Sequence, residues 1–186
     1  MKLLIENGFV RKNFSFYPEN VSEPINLNQE QAKAYRLITQ NINTFSPSLI
    51  EGVTGSGKTE VYFKLIEYFI IHKKQVLVLI PEIALSKQWI SRFYDAFKFY
   101  PLVWNSKINK SKKRKIWQAI IEGQVNIVVG ARSAIFLPFQ NLGAIIIDEE
   151  NDTSYKQEEN PIYNARDMAI VKSKINLSNI ILVSAT

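Results

Sequence analysis

The chain has no cysteine, one histidine and only seven glycines among its 186 residues. Without cysteine there is no disulfide and no cysteine-ligated zinc, a usage that suits a reducing cytoplasm. The lone histidine, His72, falls near the end of a helical stretch and reads as a surface residue with no chemistry of its own. Long hydrophobic runs are missing as well. Val76–Ile80 and Ala144–Ile147 are too short to cross a bilayer. Met1–Glu6 carries an early acid and no extended apolar region or small-residue cleavage pattern, which makes it a poor signal peptide. Acids are outnumbered, 17 Asp and Glu against 23 Lys and Arg, and the net charge of +6 favours an anionic partner without naming it. With 46% hydrophobic and 22% charged residues, the composition is that of one globular domain with room for a short appendage.

Three of the seven glycines stand together in Gly52-Val53-Thr54-Gly55-Ser56-Gly57-Lys58-Thr59. Leu49-Ile50 precedes this stretch, and Val61, Tyr62, Leu65 and Ile66 follow it at helical spacing. The spacing G-x-x-x-x-G-K-[ST] between a strand and a helix is that of a phosphate-binding loop. Gly52, Gly55 and Gly57 let successive N–H groups turn inward around a polyphosphate, and the helix start adds its positive dipole end. Thr54 and Ser56 complete the cradle. Lys58 is expected to reach the β- and γ-phosphates, and the Thr59 hydroxyl to ligate Mg²⁺. The competing reading is a glycine-rich turn that merely caps a helix.

Residues 1–26 read as an appendage and linker punctuated by Pro18 and Pro24. A helix then opens at Asn28, with Gln31 three positions on, a capping-box pattern. From Ser48 onward short apolar strands alternate with helices. Strands are predicted at Leu49–Ile50, Val76–Ile80, Leu102–Trp104, Asn126–Val129, Ala144–Ile147 and Ile180–Val183, and helices at 58–72, 83–98, 109–122 and 164–174. Continuously apolar strands between helices imply a doubly wound α/β domain with a parallel sheet covered on both faces. Ligands of such sheets sit beyond the carboxyl ends of the strands. Those ends carry the loop, then Pro81-Glu82, Gly130-Ala131-Arg132-Ser133, Asp148-Glu149-Glu150 and Ser184-Ala185-Thr186. Asp148 is placed to join the Mg²⁺ shell, and Glu149 to orient or deprotonate an attacking water. An acidic surface turn is the plainer alternative.

Several of these runs resemble a known family. Asp148-Glu149-Glu150 and Ser184-Ala185-Thr186 resemble the acidic box and third motif of superfamily 2 helicases. The whole order is similar to the primosomal protein N′ (PriA) family of bacterial DNA helicases. It comprises Leu27-Asn28-x-Glu30-Gln31, Gly52 to Tyr62, Pro81-Glu82-Ile83-x-Leu85, Gly130-x-Arg132-Ser133-Ala134, Asp152-x-Ser154-Tyr155-Lys156-Gln157 and Ala165-Arg166-Asp167. The resemblance spans residues 27–186 and implies the first RecA-like lobe of such a motor, a bacterial cytoplasmic protein using ATP and Mg²⁺. It implies that Gln31 reads the adenine edge, that Pro81, Glu82, Arg132 and Ser133 touch a DNA strand, and that Tyr155, Lys156 and Arg166 belong to an aromatic-rich loop coupling DNA to ATP hydrolysis. The plainer readings are a capping role for Gln31, an internal pairing for Arg132, and packing on the sheet for Tyr155 and Tyr163. The basic run Lys110–Lys115 reads as a solvated helix face.

Two positions depart from the family pattern: Asn151 and Asn164 stand where histidine is usual. The chain also stops at Thr186, where the resemblance implies that a second lobe begins, with an arginine that completes the ATP site and a cysteine zinc cluster. Zinc is therefore not expected in this chain. The expectation is an excised or truncated lobe, or one product of a split or decaying gene whose second lobe is encoded separately and which meets primosome proteins and DNA but no membrane. Its rivals are a non-enzymatic DNA-binding remnant and a small phosphoryl-transfer enzyme using the same loop.

Overall fold

Val76–Leu79, Ile127–Val129 and Ile145–Ile147 are apolar without alternation, and such strands need cover on both faces. The computed structural model describes residues 25–42, 44–81 and 87–185. The expected appendage up to residue 24, the motif residues Glu82, Ile83 and Leu85, and Thr186 lie outside the described residues. The first described helix, α1, is Gln29–Thr39. It is followed by β1 (Ser46–Gly52), α2 (Lys58–Ile71), β2 (Gln75–Leu79), α3 (Lys87–Phe97), β3 (Leu102–Trp104) and α4 (Lys110–Ile121). Next come β4 (Ile127–Gly130), a 3₁₀ turn (Arg132–Phe136), β5 (Leu142–Ile147) and a second 3₁₀ turn (Thr153–Tyr155). A small antiparallel pair, β6 (Lys156–Gln157) and β7 (Tyr163–Asn164), leads into α5 (Ala165–Asn176) and β8 (Asn179–Ala185).

The large strands form one parallel sheet in the order β1-β8-β5-β2-β4-β3. Alternate residues of a strand point to opposite faces, and the two cores divide accordingly. Val76, Val78, Val129, Ala144, Ile146 and Ile181 pack beneath α1, α2 and α3. Leu77, Leu79, Val128, Ile145, Ile147 and Ile180 pack beneath α4, α5 and the turn around Ala134. The sheet is therefore doubly wound, as its apolar runs predict. The departure is β1. It begins at Ser46, includes Pro47, and is only half buried, with Leu49 57% exposed. An edge strand pairs on one side only, so it tolerates a proline and leaves one row of side chains in water.

The spacing Trp89, Phe93, Phe97 puts three rings on one stripe of α3. Trp89 stacks on Phe93 and Phe93 on Phe97, at 5.5 and 4.4 Å between centroids, and Phe63 of α2 meets all three edge-on. This aromatic block fixes α3 against α2 and aims the Trp89 indole at the site described below.

On the other face, Lys172 of α5 donates to Ile135 O and Leu137 O at 2.7 and 2.6 Å. Burial pushes its pKa from the ordinary lysine value of 10.5 down to about 8. Between these two values the unfolded chain binds more protons than the folded one, so stability rises with pH across the window from about 8 to 10.5. Below it both states carry the charge and the slope vanishes. Chemical unfolding of wild type and Lys172→Met over this window should show a rise in wild type that the variant lacks. Parallel curves would exclude a role for this ammonium. Among the described residues no helix is long and apolar enough to cross a membrane.

Candidate active site

β1 delivers the chain at Gly52 and α2 receives it at Lys58. The turn between them uses left-handed backbone at Gly55 (φ 82°) and Gly57 (φ 81°), a region that side chains disfavour. Gly57 is constrained twice over, because a Cβ there would stand 2.1 Å from Gln31 Nε2. Gly57 is also the N-cap of α2 and supplies no side-chain cap, so the first N–H groups of that helix are left to a ligand or water. Lys58 Nζ donates to Gly52 O and Val53 O at 2.6 and 2.9 Å, which holds the ammonium within the loop.

Gln31 forms the capping box. Its Oε1 accepts from Asn28 N, and its own N–H donates to Asn28 Oδ1, both at 2.9 Å. Its Nε2 meanwhile donates to Ser56 O and Gly57 O at 3.2 and 3.3 Å. Both ends of the amide are therefore engaged by the protein, and α1 is clamped onto the phosphate loop. Contact with an adenine would require exchanging one of these bonds.

Across the sheet, β5 ends in the acidic turn. Asp148 Oδ2 accepts from the Tyr62 hydroxyl at 2.8 Å, and Oδ1 accepts from Glu149 N at 3.1 Å. Tyr62 is fully buried on α2 and accepts in turn from Trp89 Nε1 at 2.8 Å. The Thr59 side chain lies beside the same hydroxyl, one turn earlier on α2. From the helix that begins at the loop, the phenolic oxygen thus ties Trp89 of α3 to Asp148 of the acidic turn, donating to the carboxylate and accepting from the indole. Burial, then the nearby Asp148 charge, raises the Tyr62 pKa far up, so it remains a donor to the carboxylate. Burial likewise raises Asp148, against the opposing pull of the Tyr62 and Glu149 hydrogen bonds and of the Lys58 charge.

Glu149 is exposed and sits at φ 49°, a left-handed conformation that costs a non-glycine residue about 1–2 kcal/mol. Partial burial and the charges of Asp148 and Asp152 raise its pKa, in the direction a general base requires. Two clips fix the turn. Arg166 Nη1 pairs with Glu150 Oε2 at 3.0 Å, and Asn151 Nδ2 donates to Ser184 Oγ at 2.8 Å. The second clip joins the acidic box to the motif at the end of β8. Asn164 caps α5, accepting from Arg166 N at 2.9 Å, and asparagine is among the best residues for that position.

The residues expected to meet DNA divide sharply. Ser133 and Lys156 are exposed, and Lys156 holds only a solvent-facing pair with Glu158. Arg132 is half-buried and donates to Ser154 O and Lys156 O at 3.3 and 3.1 Å, so it also braces the following loop. Pro81 is buried, and Glu82 lies outside the described residues. One expectation is corrected. Tyr155 is 2% exposed, its hydroxyl 2.6 Å from Asp148 O and 3.0 Å from Leu79 O, so its ring is packed on the sheet and unavailable for stacking. Arg166 pairs with Glu150 and Asp167 and keeps 37% of its side chain exposed. Tyr163 packs edge-on against Phe136 at 5.0 Å.

Sequence reasoning missed Tyr62 and Trp89. The signal for Tyr62 was present: it lies three residues after Thr59 and four after Lys58, hence on the same face of α2. For Trp89 no local signal exists, since its partner is 27 residues away. Among the described residues no cluster of three or more His, Cys, Asp or Glu is placed to hold a metal. Mg²⁺ does not need one, because it binds through one or two carboxylates together with substrate phosphates and water. Thr59 at the start of α2 and Asp148, held by Tyr62 of the same helix, fit that sparse ligand set.

A family model for DEAD/DEAH box helicases matches residues 28–186. The chain is 48% identical over 181 residues to the replication restart protein PriA of Rickettsia prowazekii, covering 91% of this chain and 28% of that protein. It is 39% identical over 196 residues to PriA of Bacillus subtilis, covering 100% of this chain and 24% of that one. The chain thus spans about a quarter of the length of these relatives. Among solved structures it is similar to the Pyrococcus furiosus Hef helicase domain (TM-score 0.63, 16% identity, 86% of this chain and 33% of that one). It is also similar to the DUF1998 helicase MrfA bound to DNA (TM-score 0.58, 18% identity, 86% and 24%). At these identities the structural likeness establishes the RecA-like helicase fold alone.

Proposed function

Because the chain belongs to the DEAD/DEAH box helicase family, we propose that residues 27–186 are the ATP-binding lobe of a PriA-type replication-restart DNA helicase working in the bacterial cytoplasm. The observation that carries this reading is the bond from the Tyr62 hydroxyl to Asp148, which ties the helix that opens at Lys58 to the acidic turn. The Gly52–Thr59 backbone cradles the triphosphate, and Lys58 exchanges its two carbonyl partners for phosphate oxygens. Mg²⁺, when bound beside Thr59 and Asp148, supplies neutralisation of the β- and γ-phosphate charge. Glu149 orients the attacking water and takes its proton. DNA runs along the strand-end rim past Ser133 and Lys156, consistent with the DNA-bound helicase that shares this fold. A cation donated by a separate lobe is the part of the transition state that this reading assigns elsewhere, and its lack typically lowers turnover by about 10³–10⁵.

The test is a titration of ATP with and without Mg²⁺, paired with phosphate release in the presence and absence of single-stranded DNA. Mg²⁺-dependent binding with slow turnover is expected. Fast DNA-stimulated turnover by the chain alone would overturn the assignment to one half of a shared site, and absence of nucleotide binding would overturn the reading as a whole.

A further inference from the structure

α4 places its cations where they work against the helix. Lys110, Lys112 and Lys113 occupy its first turn, with no acid among them, although the positive end of a helix dipole favours carboxylates there. From Phe99 to Ile121 the chain has six Lys and Arg and no Asp or Glu. Lys107, Lys110, Lys113 and Arg114 form no ion pair with another described residue. Helix stability does not account for this arrangement.

The exposed positions of α4 have an order of their own. Lys110, Arg114, Trp117 and Ile121 recur at spacings of four, three and four, which is one stripe along the helix, and all four are exposed. Trp117 is 40% exposed one turn beyond the cations, an indole that the core does not use. The stripe begins at the strand-end rim. The Lys113 ammonium stands 5.5 Å from the centroid of the Trp104 ring, and the Nε1 of that ring donates to Ser133 Oγ at 3.3 Å. Trp104 pairs with Gly130 in the sheet, where a Cβ at Gly130 would stand 2.6 Å from Trp104 O, so the start of α4 and the Arg132-Ser133 turn are closely coupled.

We propose that the Lys110–Arg114–Trp117 stripe is a second DNA-contact site, which takes a single strand leaving the rim at Ser133. It rests on the reading that the rim carries DNA. Lys110 and Arg114 hold consecutive phosphates, and Trp117 stacks on an unpaired base. Cations followed by an exposed aromatic on one face are the combination that binds single strands irrespective of sequence. A duplex offers the phosphates but no unstacked base, so single-stranded DNA is preferred.

The experiment measures binding of a labelled oligothymidine to the full 186-residue chain across a salt series. Lys110→Gln with Arg114→Gln should weaken binding and reduce the slope of log K against log salt by about 1.4, at about 0.7 per phosphate contact for a single strand. Trp117→Ala should weaken binding by about 5- to 150-fold with the slope unchanged, and Trp117→Phe should retain most of the affinity. Lys98→Gln with Lys174→Gln removes the same charge near the amino ends of β3 and β8, away from the strand-end rim, and should leave the slope near wild type. If Arg132→Ala weakens binding while the Lys110/Arg114 and Trp117 variants bind like wild type, this proposal falls and the rim reading stands. If the stripe variants bind weakly and Arg132→Ala is neutral, α4 binds the strand by itself, and the rim reading falls together with the path from Ser133 proposed here. A wild-type chain that binds no single strand at low salt removes both.

Discussion

Replacing Lys58 with alanine should weaken ATP·Mg²⁺ binding by about 10- to 150-fold, the equivalent of roughly 1.5–3 kcal/mol for hydrogen bonds to charged groups. Thermal stability should hardly change. The ammonium now bonds two carbonyls, Gly52 O and Val53 O, but Val53 is 65% exposed and Gly52 is half-exposed, so water can replace it at both. Calorimetric titration and a melting curve on the same variant separate these effects. Nucleotide affinity equal to wild type would show that Lys58 does not leave its carbonyls for the phosphates, and the phosphate-loop reading would lose its charged contact. A collapse in melting temperature would instead make Lys58 a structural clamp of the turn.

Replacing Tyr155 with alanine should be among the most damaging single changes to the fold. The ring is 2% exposed among Leu79, Ala134, Ile147 and Ala165, and truncation of a buried aromatic costs about 3–5 kcal/mol. For a chain of this size each kcal/mol moves the melting temperature by about 2–4 °C, so a fall of roughly 6–20 °C is expected. Tyr155→Phe should cost only about 1 kcal/mol, because Leu79 O keeps its bond from Asp148 N at 2.9 Å and only Asp148 O loses its donor. The pair distinguishes two roles. A DNA-stacking tyrosine would lose DNA affinity with an unchanged melt, whereas the packed tyrosine seen here loses stability first. A melt of Tyr155→Ala within about 2 °C of wild type would refute the packing role.

Tyr155 also shows why part of the site was hidden in the sequence. Tyr155-Lys156-Gln157 reads as an exposed basic-aromatic loop, because residue type gives no indication of which ring lies under the sheet. Its hydroxyl partner Leu79 is 76 residues away. Arg166 is similar. Its charge suggests a phosphate, but the fold brings Glu150 to 3.0 Å, and a carboxylate at that distance engages the guanidinium. Asn164, by contrast, was interpretable as soon as the helix start was located, since an asparagine before Ala165 is a good cap whatever stands there in relatives.

The sequence by itself determined the elements whose causes are local. Unbroken apolar runs made the inner strands, three glycines in six positions made the loop, and Asn28 with Gln31 made a capping box that forms as its spacing requires. It also determined the order of the strand-end motifs, because a parallel sheet built from strand-helix units returns each strand end to the same rim. Tertiary structure alone decided what those motifs do to one another. It placed β1 at the edge of the sheet, joined Trp89, Tyr62 and Asp148 through one hydroxyl, paired Arg166 with Glu150, buried Tyr155, and set the cationic start of α4 beside Ser133 through Trp104. The physical reason is separation. A cap or a glycine turn acts within a few residues, whereas the hydrogen bonds of Arg166 and Tyr62 join atoms 16 and 86 positions apart, and only the packed sheet fixes their distances.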